Sequence, residues 1–134
     1  MTLLLDTHTI VWLTEDLPEL GSRAKRSCDA ALESSELAVS TIVFFELGQL
    51  AKRRRIAGPE SVSGWRARLI TFDVREFPVS AEVAMRAAEL DELHGDPIDR
   101  IIVATAIVER ALLLTADRRI LDWPGSMRRQ DARR

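Results

Sequence analysis

An α/β domain with a mainly parallel sheet covered by helices on both faces is predicted from two features of the chain. Short apolar runs of strand length alternate with longer amphipathic stretches from end to end. Two of those runs, LLL at 3–5 and LLLT at 112–115, lead almost directly into an aspartate, Asp6 and Asp117. In open parallel sheets the carboxyl ends of the strands are where ligands bind.

The elements follow in order. Residues 2–5 make a first strand, 9–13 a short helix and 18–34 a longer one with Leu20, Ala24, Ala31 and Leu32 apolar. A second strand at 37–39 precedes Ser40 and Thr41, which suit the cap of a helix over 42–54. Gly58 and Pro59 close that region. Helices are expected at 59–70 and 80–93, flanking a weak strand at 72–79 that Pro78 assigns to a sheet edge. Asp96-Pro97 opens a strongly apolar helix to 111, a strand covers 112–114, and 117–121 adds a helical turn.

Composition sets the limits. At 134 residues, with 46% hydrophobic and 30% charged, the chain fits one ordinary globular domain. The segment MTLLLDTHTIVWL has no basic lead-in and carries Asp6 and His8, so it resembles neither a signal peptide nor a membrane span, and a cytoplasmic protein is expected. The one cysteine, Cys28, excludes an internal disulfide and cysteine-based zinc sites and is read as helix packing. A net charge of −2 argues against a uniformly basic nucleic-acid surface. Local basic patches remain at residues 52–55, at Arg66 and Arg68, and at Arg128, Arg129, Arg133 and Arg134.

Four acids stand out. Asp6 and Asp117 follow strands, and each reads equally as a helix cap. Glu46 has Ile42, Val43, Gln49 and Leu50 at helical spacing, so it lies beside an apolar stripe, where an ionised carboxylate costs free energy unless paired or bound to a cation; taken alone, it reads more readily as a long side chain reaching the surface. Asp99 falls three residues after a cap at Asp96, which suits the helix dipole, but Ile102, Val103 and Ala106 share its face and turn it inward. Two acids at strand ends and two on inward helix faces can converge at one sheet edge. A pocket of carboxylates without His or Cys partners favours hard cations, Mg²⁺ or Mn²⁺, over Zn²⁺. The matching chemistry is phosphodiester hydrolysis. His8 is read as a turn residue, and His8, His94, Trp12, Trp65 and Trp123 are expected to pack rather than to stack on bases.

The segments LLLDTH, STIVFFELGQLAKRRRI and DPIDRIIVATAIVERALLLTAD, in that order over nearly the whole length, resemble the PIN-domain nucleases, in the branch of the virulence-associated toxin VapC. The resemblance implies a three-layer α/β/α sandwich in which 1–124 form the nuclease domain. It implies RNA cleavage dependent on Mg²⁺, with Mn²⁺ able to substitute, and assigns catalysis and metal binding to Asp6, Glu46, Asp99 and Asp117. Thr7 and Thr115 become hydroxyls that support those acids, and Asp96 remains the helix cap. A homodimer and a neutralising antitoxin, laid into an apolar groove, are the implied partners. Val43, Phe44, Phe45 and Leu47 are apolar enough to suggest such a docking surface. One departure is the polar, basic segment 125–134 where the family has a short apolar strand, so the last strand is expected to be short, absent or displaced, and the tail either disordered, the favoured reading, or in contact with RNA.

Rival readings divide by residue pattern. A haloacid-dehalogenase-type phosphatase needs an Asp two residues after Asp6, where His8 stands. A receiver domain needs a late lysine, and none follows Lys52. A non-catalytic RNA- or protein-binding module, and a DNA nuclease with the same metal chemistry, remain as alternatives.

Overall fold

The computed structural model describes residues 1–59 and 61–134. Its centre is a five-stranded sheet in the order β3-β2-β1-β4-β5, with every neighbouring pair parallel. The strands are β1 (Leu3–Leu5), β2 (Leu37–Ser40), β3 (Arg75–Phe77), β4 (Leu112–Thr115) and β5 (Arg129–Asp131). Among the described residues seven helices surround it: α1 (Thr7–Thr14), α2 (Ser22–Glu33), α3 (Val43–Lys52), α4 (Val62–Thr71), α5 (Ala81–Glu89), α6 (Pro97–Val108) and α7 (Arg118–Leu121). The result is a three-layer α/β/α sandwich. No helix among the described residues is long and apolar enough to cross a membrane.

β1, β2 and β4 are apolar up to the hydroxyl residues Ser40 and Thr115 that end the last two, because each is covered on both faces; Leu3, Leu4, Leu5, Ala38, Val39, Leu113 and Leu114 are buried. Helix α2 packs on β1 and β2, and α6 on β2 and β4. Helix α6 starts as its sequence requires: the Asp96 side chain accepts from the Ile98 amide, Pro97 occupies the first turn, and Ile102 to Ala106 are all buried. Cys28 is buried in the core and unreactive, its thiol pushed up to about 12 chiefly by burial.

Three expectations change. Helix α2 begins at Ser22, not 18, because 18–20 form a turn bonded back through Leu20 N to Leu17 O. Helix α4 begins at Val62 behind Ser61, whose side chain accepts from the Gly64 amide; the expected start at Pro59 is not helical, and residue 60 lies outside the described residues. Thr41 does not cap α3: its hydroxyl accepts from the Val79 amide, tying the β2 exit to the chain beyond β3.

The tail is the largest correction. Residues 129–131 form edge strand β5, paired in register with Leu113 to Thr115, and Ala132 is fully buried. Beyond it, the Gly21 amide donates to Ala132 O and the Ala24 amide to Arg134 O. The latter supplies an acceptor for an early amide of α2, whose N-cap Gly21 has no side chain to offer. Gly21 is required there, since a Cβ would lie 2.3 Å from the Arg134 backbone. Backbone pairing, which hydropathy does not report, orders this polar segment.

Candidate active site

Chain order 1-2-3 runs one way across the sheet from β1, and 4-5 runs the other, so the topological switch lies between β1 and β4. A cleft at the carboxyl ends of these two strands is the expected ligand position in such a sheet. A cleft of about 340 Å³ is found there, and Asp6, Glu46, Asp99 and Asp117 all line it. Thr7, His8, Trp12, Asp96, Ala116, Arg119 and Arg133 complete the wall.

Asp6 and Asp117 are helix caps and cleft acids at once. Asp6 Oδ1 accepts from the Thr9 amide at 3.0 Å and starts α1. Asp117 Oδ1 accepts from the Arg119 amide at 2.9 Å and starts α7. Between them Thr115, fully buried at the end of β4, donates its hydroxyl to Asp6 Oδ2 and accepts from the Asp117 amide at 3.1 Å. One hydroxyl thus ties both strand-end acids. Thr7 is 2% exposed, and its hydroxyl is buried without a hydrogen-bond partner in the cleft wall. An orphaned polar atom there marks a position where a ligand or water must supply the partner.

Asp99 stands on the first turn of α6, mostly buried, and its pKa is pushed up to about 6. Burial is the main cause, and the charges of Asp96 and Asp117 add to it against the stabilising hydrogen bond from His94. Asp117 behaves oppositely. Burial pulls it upward, but the Arg119 side chain and amide outweigh that and hold its carboxyl below the usual range. Arg119 Nη2 lies 2.9 Å from Asp117 Oδ2 and 3.5 Å from Asp99 Oδ2, bridging the two acids.

His94 is the residue that sequence reasoning missed. Its Nε2 is 2.8 Å from Asp99 Oδ2, while Nδ1 is buried without a partner. Among the described residues, His94, Asp99 and Asp117 form the group whose ligand atoms all lie within 4.8 Å of one another. Asp6 and Glu46 line the same cleft without joining that tight group. The premise of a pocket free of histidine is therefore corrected. The cause is an irregular segment from 90 to 96, pinned by Arg100, whose guanidinium donates to the carbonyls of Ala87, Ala88, Leu90, Leu93 and His94. No periodicity encodes that curl; only the proximity of His94 to the Asp-Pro helix start hints at it.

The apolar patch on α3 is also smaller than expected. Val43 and Leu47 are fully buried and Phe44 packs on the core, which leaves Phe45 at 60% exposure. The tryptophans pack as expected: Trp65 and Trp123 are buried, donating through their indole nitrogens to Pro59 O and Asp91 O, and Trp12 is mostly buried at the cleft rim.

Comparison with known proteins agrees with this geometry. Residues 3–124 match the model of the PIN domain. Over 120 residues the chain is 38% identical to Ribonuclease VapC22 of Mycobacterium tuberculosis, covering 89% of each protein. VapBC2 from Rickettsia felis, solved bound to a DNA fragment from its promoter, superposes with a TM-score of 0.70 at 20% identity, covering 97% of this chain and 98% of that one. A toxin–antitoxin complex from Klebsiella pneumoniae superposes with a TM-score of 0.58 at 26% identity over 87% of each chain. With an acid-lined cleft at the β1/β4 switch point and a family match spanning nearly its whole length, the chain belongs to the PIN-domain family.

Proposed function

We propose that this protein is a metal-dependent endoribonuclease and the toxin of a toxin–antitoxin pair. The observation that carries the reading is the convergence of Asp6, Glu46, Asp99 and Asp117 on one cleft at the switch point of a parallel sheet. Similarity to a protein named a ribonuclease supplies the substrate class.

The residues fit a divalent cation. Four carboxylates offer hard oxygen donors, Asp99 is destabilised as an anion in the cation's absence, and the Thr7 hydroxyl waits unpartnered in the wall. Asp6, Glu46, Asp99 and Asp117 would hold Mg²⁺ or Mn²⁺, with His94 orienting Asp99. The bound ion would activate a water and stabilise the leaving oxygen of a phosphodiester. The protein's own contribution is preorganisation. Thr115 and the Thr9 amide fix the Asp6 carboxylate, Arg119 fixes Asp117, and His94 holds Asp99 Oδ2, so these three acids are in place before substrate arrives.

Incubating total cellular RNA with the purified protein tests this. Discrete fragments are expected with Mg²⁺ or Mn²⁺, none with EDTA, and none from Asp99→Asn under any condition. Folded, antitoxin-free protein that leaves RNA intact in both metals would overturn the reading; cleavage of single-stranded DNA instead would keep the chemistry and move the substrate.

The antitoxin partner is supported by similarity to the toxin–antitoxin complex from Klebsiella pneumoniae and by the exposed apolar side chains Phe45, Ile70 and Phe72. A homodimer belongs to the same proposal. Light scattering of the purified toxin checks it, and a well-behaved monomer needing no partner would count against both.

A further inference from the structure

The ordered tail delivers Arg133 to the cleft. Its amide donates to Asp131 Oδ1 at 2.9 Å, turning the chain after β5, and its guanidinium lies 5.0 Å from the centroid of the Trp12 ring. Trp12 belongs to α1, the helix capped by Asp6, and both Trp12 and Arg133 line the acidic cleft. Arg119, which also lines it, is bound to Asp117 and Asp99. Arg133 is in no ion pair and spends none of its side-chain donors on a hydrogen bond among the described residues.

A cation beside four carboxylates that pairs with none of them is not there to neutralise them. The side chain is exposed, but β5 and the buried Ala132 place its backbone and the Trp12 ring gives it a partner at the cleft. A cation–π approach to the ring consumes no hydrogen bond, so the N–H donors of the guanidinium stay available. The ligand that fits these unspent donors next to a phosphodiester-cleaving site is another phosphate of the same strand. We propose that Arg133, set against Trp12, is a phosphate-binding residue that grips the RNA backbone beside the bond to be cut. The assignment rests on the ribonuclease reading above.

The test is equilibrium binding of a fluorescently labelled single-stranded RNA to the full chain over a range of KCl. It is run in EDTA and again in Ca²⁺, which satisfies the acids with a hard cation. Arg133→Gln is expected to weaken binding several-fold and to reduce the slope of log K against log salt by ~0.7, the loss of one single-strand phosphate contact. Arg133→Lys keeps the charge and should keep most of the slope. In cleavage assays the loss from Arg133→Gln falls on KM rather than kcat. Wild-type RNA binding with an unchanged slope in Arg133→Gln overturns this assignment alone, as does a kcat loss at constant KM. Wild-type protein that binds no RNA in either condition takes down the ribonuclease reading and this assignment together.

Discussion

Asp99 is the side chain on which the electrostatics of the cleft turn. Its pKa stands at about 6 instead of 3.8, so between roughly pH 4 and pH 6 the folded protein holds a proton that the unfolded chain has released. Stability of the metal-free protein therefore falls as pH rises through that window, and above it the folded state carries the cost of a buried anion. Asp99→Asn removes that cost. At pH 7.5 without metal the variant is expected to melt a few degrees higher, a gain on the order of 1 kcal/mol, while losing all cleavage; a lower melting temperature would favour a purely structural Asp99. Proton and cation compete for the same oxygens, so Mn²⁺ affinity, followed by calorimetry, should drop about tenfold per pH unit below pH 6 and level off above it. Asp99 was legible in the sequence because Ile102, Val103 and Ala106 define an inward helical face. His94 was not legible, because the segment that brings it to Asp99 obeys no period.

At the scale of elements, the cleft depends on two ties between segments distant in sequence or irregular in form. Thr115 joins the end of β4 to Asp6 at the end of β1. Thr115→Val keeps the shape but leaves the Asp6 Oδ2 acceptor and the Asp117 amide donor without this partner, and a loss of about 1–3 kcal/mol is expected in chemical denaturation, together with reduced cleavage. Arg100 joins α6 to the last turn of α5 through the carbonyls of Ala87 and Ala88, and to the segment after it through those of Leu90, Leu93 and His94. Arg100→Ala should speed hydrogen exchange over residues 90–96 and weaken Mn²⁺ binding, with little change in the amides of β1 and β4. Strands and helices were readable here because buried parallel strands are continuously apolar and helices announce their caps, as Asp96-Pro97 does. β5 was not, since Arg129, Gln130 and Asp131 carry no apolar signal and are specified by the free edge of β4.

For the whole molecule, the order β3-β2-β1-β4-β5 decides where everything else goes. It puts β1 in the middle, sends the chain outward in both directions, and leaves the cleft where the directions part. The tail closes the circuit by docking on α2 at Gly21. Gly21→Val places atoms where the Arg134 backbone lies, and the tail is expected to detach. Trypsin should then cut faster at Arg128 and Arg129, and stability should fall by about 1–3 kcal/mol. An unchanged digestion pattern would mean that the docking contributes nothing.

The central position of β1 also orders events in time. Asp6 comes early relative to its partners: its strand pairs with Leu112 to Leu114, and Asp117 lies beyond them. A chain emerging amino end first can form β1, β2 and β3 as folding units while the acids are still apart. The cleft proposed to cut RNA cannot be complete until the ribosome has read past the codon for Asp117, so up to that point the nascent chain lacks one of the four acids of the site.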